Sequence, residues 1–189
     1  TPSTGKVFVP EGETYDWIYD QPEVKNMCGV LQEQVFINYD GQQGLAKAKG
    51  VDWIYEEETP LRDHIRDGEF KLHRGDVPMA AVGAGLAYSM GISPRFVSPI
   101  EIYFPSRTRK LSMSNPISSI EAIKVWPSSI FSVNNDVDAE LMIIPIEKMR
   151  ELLEYDDEVS AVEIRLAEGT DGKVLKNLQK EISERLGPD

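Results

Sequence analysis

Three side chains in this sequence could support nucleophilic catalysis, namely the thiol of Cys28 and the imidazoles of His64 and His73. A catalytic thiol needs a general base within hydrogen-bonding distance, and neither histidine belongs to a motif that connects it with Cys28. The cysteine stands between Met27 and Gly29 in an extended stretch, where a cysteine is usually a small apolar core residue. The sequence therefore predicts a buried structural cysteine. With one cysteine, the chain has no internal disulfide.

A glycine pair could indicate a nucleotide site. Gly83 and Gly85 follow an apolar strand and precede a predicted helix, as the glycines of a dinucleotide-binding turn do. The third position of that motif is occupied by Tyr88 instead of glycine or alanine. The acidic residue that should follow about 20 positions later, at the end of a second strand, is also missing. We therefore expect the two glycines to let a helix begin close against a strand.

A third group of residues resembles the beginning of a calcium loop, in which acidic and amide side chains alternate. These residues are Asn134, Asp136, Asp138 and Glu140. Such a loop needs glycine at position 6 and a bidentate glutamate at position 12, where this chain has Ala139 and Pro145. A polar turn before a strand is the better interpretation. We predict no catalytic, cofactor-binding or metal-binding residues, and we expect that the protein is not an enzyme.

One basic cluster stands out in an otherwise acidic chain. Arg107, Arg109 and Lys110 lie in a predicted loop after the strand that contains Ile100, Ile102 and Phe104. The cluster could contact an acidic partner or lipid head groups, or it could be the solvated tip of a hairpin. We retain these three residues as candidates for partner contact.

We expect the other elements to be arranged around the segment Ala139–Leu166. Leu141 to Ile144 form a continuous apolar run, typical of a strand that is covered on both faces. Pro145 suits the first position of a helix. A helix Ile146–Tyr155 follows, with one apolar face, and the period then changes to two from Ser160 to Leu166. A helix between two strands favours an α+β fold with helices on one face of a sheet.

Further elements follow from turn and cap residues. Asp40-Gly41 separates two alternating segments and predicts a hairpin that returns through Gln43–Val51. Asp171 can cap a final helix that extends to Leu186. The strand that ends at Trp126 is expected to break at Pro127.

Composition excludes some functions. The chain has 189 residues, a net charge of −12, a sequence pI near 4.7 and a mean hydropathy of −0.33. That charge argues against nucleic-acid binding, which requires clustered basic residues. No apolar run approaches the roughly 20 residues that span a bilayer. Because the sequence has no initiator methionine and no signal peptide, we expect it to be part of a longer protein.

Several stretches together resemble one family, the MacB-like periplasmic core domain of FtsX-type and MacB-type ABC transporter permeases. The resemblance covers nearly the whole chain. Its stretches are Leu31-Gln32-Glu33 with the hairpin to Asp52, Gly68-Glu69-Phe70, Val82–Ile92 and Asp138–Leu166. The chain departs from the usual pattern at Ser93–Phe96 and at Trp126–Phe131. For that reason we transfer no binding residues from the family.

The resemblance implies a porter-like α/β subdomain, residues 1–55 and 125–189, and an inserted β-rich subdomain, residues 56–124. It implies a non-catalytic domain on the periplasmic side of the cell inner membrane, which transmits the motion driven by a cytoplasmic ATPase subunit to export or envelope remodelling. The partners that it implies are that ATPase, a second permease subunit and a periplasmic or outer-membrane protein. The alternatives are a stand-alone envelope enzyme and a module that binds lipids or lipoproteins.

Overall fold

A computed structural model describes residues 7–95, 98–109 and 119–186 of the chain. Within these ranges the strands are β1 (Val24–Tyr39), β2 (Gln42–Val51), β3 (Ile65–Gly68), β4 (His73–Arg74), β5 (Val77–Gly83), β6 (Ile100–Pro105), β7 (Ile120–Phe131), β8 (Leu141–Pro145) and β9 (Ala161–Leu166). The helices are α1 (Glu13–Tyr19), α2 (Trp53–Glu58), α3 (Ala84–Met90), α4 (Asn135–Glu140), α5 (Ile146–Leu153) and α6 (Gly172–Leu186). A short 3-10 helix covers Pro60–His64. The predicted α+β class is confirmed.

The chain divides into two compact units, Thr1–Val30 with Glu158–Asp189, and Leu31–Asp157. We call them the terminal unit and the central unit. These bounds differ from those of the predicted subdomains, 1–55 with 125–189 and 56–124. The porter-like assignment and the inserted subdomain therefore stay predictions.

In the central unit, six strands close into a barrel-like sheet. Its order is β1–β2–β8–β5–β7–β6, and β6 pairs with β1 again. The pairs β2–β8 and β5–β7 are parallel, whereas β5–β8, β6–β7 and β1–β6 are antiparallel. The sequence predicted individual strands of this sheet but not its closure.

The hairpin predicted at Asp40-Gly41 is confirmed. Asp40 has φ of 50° and Gly41 has φ of 85°, as expected for a tight two-residue turn with positive φ at both positions. This turn joins β1 to β2 and thereby fixes the first pair of the barrel.

The strand predicted to be covered on both faces is also confirmed. Met142, Ile143 and Ile144 of β8 are each 0% exposed. Helix α5 follows directly and buries the predicted apolar face, of which Met149 is fully covered. Gly50 on β2 makes this approach possible, because a Cβ at that position would stand 2.5 Å from Met149 Cγ. The strand–helix step therefore packs as one unit on the barrel.

The prediction that the strand breaks at Pro127 was wrong. Strand β7 continues through the proline as far as Phe131. The register shifts there, since Ala80 pairs with Pro127 and Ala81 pairs with Ser129, which leaves Ser128 as an extra residue. A bulge is one of the few places where a sheet accepts proline, because proline has no N–H for the ladder. The Ser128 hydroxyl donates to the Ala80 carbonyl at 3.1 Å and so stabilises the bulge.

In the terminal unit, the first part of β1 pairs antiparallel with β9, from Val24–Leu166 to Val30–Ala161. Helix α6 begins as predicted, because the Asp171 carboxylate accepts from the Lys173 N–H at 3.0 Å. On α6, Leu178 is buried. No helix in the described ranges is long and apolar enough to cross a membrane.

Candidate functional site

The basic cluster predicted from the sequence lies in the loop that leaves β6. Ser106 to Arg109 are described, whereas Lys110 lies outside the described residues. This loop contacts the C-terminal end of α5, where Glu154 takes a left-handed conformation with φ of 55°. The left-handed residue ends the helix, and its side chain faces the loop. We call Ser106–Arg109 with Glu154 and Tyr155 the anchored loop.

The Glu154 carboxylate holds the loop through four groups. It accepts from the Thr108 hydroxyl at 2.6 Å and from the Thr108 N–H at 3.0 Å. It also accepts from the Arg107 N–H at 2.5 Å and from the Ser106 hydroxyl at 3.0 Å. The hydrogen bond from the Thr108 hydroxyl is the largest of the causes that lower the pKa of Glu154 to about 2. Donors gathered around the ionised form favour that form.

The two described arginines of the cluster are engaged within the chain. The Arg107 guanidinium lies 3.9 Å from the centre of the Tyr155 ring and donates to the Glu154 carbonyl at 3.0 Å. Arg109 forms an ion pair with Glu121 on β7. Both residues are nevertheless exposed. The cluster is therefore a surface of fixed geometry, with its cations held by the end of α5 and by β7.

Cys28, His64 and His73, the residues considered for nucleophilic catalysis, lie in three different surroundings. Cys28 is 5% exposed and pairs with Glu163 across β1 and β9, which confirms the predicted buried cysteine. His64 is exposed at the end of the 3-10 helix. His73 contacts two carboxylates, those of Glu56 and Glu147. The Cys28 thiol donates to the Asn26 side-chain oxygen at 4.0 Å, a contact that a buried structural cysteine can make.

Gly83 and Gly85 allow close packing, but they pack against a helix and not against a strand as predicted. A Cβ on Gly83 would stand 2.5 Å from the Asp138 carbonyl oxygen, and one on Gly85 would stand 3.0 Å from Ala139 Cα. Both atoms belong to α4. The glycines therefore allow the start of α3 to lie directly on the backbone of α4.

The segment that resembled a calcium loop forms α4. Asn134 caps this helix by accepting from the Val137 N–H at 3.0 Å. Asp138 is buried and accepts from the Ser132 hydroxyl and from the Val133 N–H, each at 2.8 Å. Its carboxylate therefore fixes the turn between β7 and α4. In the described part of the chain, no three His, Cys, Asp or Glu side chains are placed to hold a metal ion.

A surface groove was missed from the sequence. It has a volume of about 360 Å³, and its lining residues are Phe36, Asn38, Gln43, Tyr103, Phe104, Pro105 and Ile120. Phe36 and Tyr103 are cross-strand partners on β1 and β6, and their rings lie 6.2 Å apart. The available signal was the placement of aromatic residues at outward positions, between the buried Val35, Ile37 and Ile102.

A polar network stands at one end of the groove. The Glu101 carboxylate accepts from the Asn38 amide at 2.9 Å and from the Tyr103 hydroxyl at 2.8 Å, and it pairs with Lys124 at 3.0 Å. These contacts, the Asn38 hydrogen bond first, lower the pKa of Glu101 to about 2. The groove therefore has mostly apolar walls, and its polar lining residues Asn38 and Tyr103 are held by a Glu101 carboxylate that is paired with Lys124.

The fold as a whole is similar to that of known transporter domains. The extracellular domain of the noncanonical ABC-type transporter YknZ from Gram-positive bacteria superposes with a TM-score of 0.62 over 97% of this chain and 84% of that chain, at 12% identity. This chain has a MacB-like fold. The periplasmic region of MacB from Actinobacillus actinomycetemcomitans superposes with a TM-score of 0.56 over 95% of this chain and 80% of that chain, at 10% identity. No protein-family model and no curated protein sequence matches the chain significantly. The assignment of the MacB-like fold therefore rests on similarity of structure and not on similarity of sequence.

Proposed function

We propose that this chain is the extracytoplasmic domain of an ABC transporter permease, held at the cell inner membrane with the domain facing the periplasm. The observation that carries the proposal is the superposition on the extracellular domain of YknZ, which extends over 97% of this chain. A likeness over nearly every element indicates that the whole domain fold is shared, and the role is proposed by analogy with it.

In this proposal the domain is not an enzyme. It transmits the motion driven by a cytoplasmic ATPase subunit, through the full-length permease and a second permease subunit, to export or envelope remodelling. The packing of α5 on β8 and β2 supports this role, since Met149 fills the space above Gly50 without a gap. A helix packed in this way moves with its strands, because dense interiors transmit displacement.

The anchored loop is our candidate for contact with a periplasmic or outer-membrane partner. Arg107 and Arg109 present guanidinium groups on the surface, and each is oriented by a contact within the chain. A fixed guanidinium loses less conformational entropy when it binds a carboxylate. Charge reversal, Arg107→Glu with Arg109→Glu, should weaken transport by the full permease. Reversal of the exposed Arg74 is the matched control.

A second candidate, a module that binds lipids or lipoproteins, is favoured by the groove beside Phe36 and Tyr103. Its apolar walls and its volume of about 360 Å³ suit one acyl chain. Replacement of Phe36 by Asp should abolish binding of a fatty-acyl probe if this function is correct. Replacement of the exposed Leu45 by Asp would then leave binding unchanged.

The proposed function is tested first by the coding sequence on both sides of the codons for Thr1 and Asp189. An apolar segment of about 20 residues on each side would place the domain between membrane spans. Distances between spin labels on the two permease copies, measured without nucleotide and with trapped nucleotide, then test the transmission of motion. If the membrane spans are found but the distances between the spin labels do not change with nucleotide, the transmission of motion is refuted. The location of the domain between membrane spans would still stand.

A further inference from the structure

His73 is placed between two carboxylates that come from distant parts of the central unit. Its Nε2 atom lies 2.6 Å from Glu147 Oε1, and its Nδ1 atom lies 3.4 Å from Glu56 Oε2. Glu147 belongs to the first turn of α5, and Glu56 belongs to α2. His73 itself is on β4, 17 residues after Glu56 and 74 residues before Glu147. One imidazole ring therefore connects three elements.

The chemistry of the three groups decides the protonation state in which this connection holds. An ionised carboxylate can only accept hydrogen bonds, and a neutral imidazole carries a single N–H. Only the doubly protonated ring can donate to Glu56 and to Glu147 at once. After loss of one proton, a ring nitrogen with a lone pair would face a carboxylate oxygen, and that contact would become repulsive.

The neighbouring groups keep the Glu56 carboxylate in place. Its Oε1 atom accepts from the Leu72 N–H at 2.7 Å, next to His73 in the chain. From the 3-10 helix, the Arg62 guanidinium donates to the Glu56 carbonyl at 2.6 Å. Strand β5 places Pro78, which has no charge, opposite His73. Two carboxylates therefore contact the ring, with the Arg62 cation beside Glu56, and the ring's own charge determines whether both contacts form.

We propose that His73 is a proton-dependent bridge, which donates to Glu147 on α5 and to Glu56 on α2 at once when the imidazole is protonated and to only one of the two carboxylates when it is neutral. Histidine is the side chain whose charge ordinarily changes between about pH 5 and 8, so the device responds to modest acidification. This device is independent of the proposed transport function.

A double-mutant cycle tests the bridge directly. His73→Gln, Glu147→Gln and the double variant of the 189-residue chain are unfolded in urea at about pH 5.5 and about pH 8.5. The side chains of His73 and Glu147 are 42% and 57% exposed, so the coupling is that of a surface pair. We expect it to change the unfolding equilibrium constant about two- to five-fold at the lower pH and to be smaller at the higher pH, where a neutral imidazole forms at most a single hydrogen bond.

The ion pair Lys148–Glu151 on the same helix is the matched control, with 2.6 Å between Nζ and Oε2. Neither of its partners is a histidine, so its coupling should be the same at the two pH values. The Leu72 amide signal gives a second readout, because its acceptor is the Glu56 carboxylate that contacts His73; it should differ between the two pH values in the wild type and not in His73→Gln. Equal His73–Glu147 coupling at both pH values, or none at the lower one, would overturn the proposal.

Discussion

The carboxylate of Glu154 accepts a hydrogen bond from the backbone N–H of Thr108, 46 residues earlier in the chain, at 3.0 Å. This contact joins the end of α5 to the loop after β6. Because the donors are mostly backbone N–H groups and hydroxyls of the loop, the position of Glu154 determines the path of the loop. The candidate partner surface at Arg107 and Arg109 is thus positioned by a helix that packs on the barrel.

Removal of the Glu154 side chain should free the anchored loop. In Glu154→Ala, the N–H groups of Arg107 and Thr108 lose their acceptor and should exchange with solvent several-fold faster than in the wild type. Amide hydrogen exchange followed by NMR gives the measurement. Glu151→Ala is the control on the same helix, since Glu151 pairs with Lys148. Unchanged exchange at both amides in Glu154→Ala would show that the loop keeps its conformation without the Glu154 carboxylate.

The anchored loop should release at low pH and not near neutrality. The pKa of Glu154 is lowered from 4.5 to about 2 by its donors, Thr108 first, so the ionised form is favoured in the folded state. Stabilisation is therefore complete above about pH 4.5 and is lost as the pH falls toward about 2. The side-chain carboxyl carbon of Glu154, followed by NMR, reports this titration. A midpoint near 4.5 would contradict the hydrogen-bond network.

The close contact of α3 with α4 predicts a large effect at Gly83. In Gly83→Ala, the new methyl group would lie 2.5 Å from the Asp138 carbonyl oxygen, which is backbone and cannot rotate away. We expect a loss of about 1–3 kcal/mol in the free energy of unfolding. Gly172→Ala in α6 is the control, since no atom lies within 4 Å of its Cβ position. Urea denaturation compares the two, and equal effects would refute the packing argument.

The buried carboxylate of Asp138 should matter more for stability than its exposed neighbours on α4. Asp138→Ala leaves the Val133 N–H and the Ser132 hydroxyl without their acceptor, and we expect a cost of about 1–3 kcal/mol. The exposed Asp136, changed to Ala, should cost less than about 0.5 kcal/mol. Thermal unfolding measures both. If the two variants are equally stable, Asp138 does not fix the turn between β7 and α4.

Local pattern was sufficient to predict the elements whose residues alternate or repeat along one face. The apolar face of α5, the run Met142–Ile144 and the turn at Asp40-Gly41 were all predicted in this way, because each depends on neighbours in sequence. The closure of the barrel was not, since it depends on the parallel pairs β2–β8 and β5–β7, whose partners lie far apart in the chain. Local periodicity carries no information about such pairings.

The candidate site shows the same contrast between local features, which the sequence predicts, and contacts between distant residues, which it does not. The basic cluster was visible as a local concentration of charge, whereas its anchor, Glu154, looked like any other glutamate at the polar side of a helix. What makes Glu154 different is its left-handed backbone and four donor groups from a loop 46 to 48 residues away. Pro127 misled us for a related reason, because a bulge opposite Ala80 and Ala81 accommodates it.

The central claim, that this domain faces outward from the membrane, is tested most directly by labelling a cysteine in the full-length protein. Cys28 is 5% exposed and should react slowly, whereas the Lys180 side chain is 76% exposed and suits substitution by cysteine. The Lys180→Cys variant is treated with a membrane-impermeant maleimide in intact spheroplasts. We predict the same labelling before and after the membrane is permeabilised. Labelling that occurs only after permeabilisation would place the domain on the cytoplasmic side and contradict the proposed function.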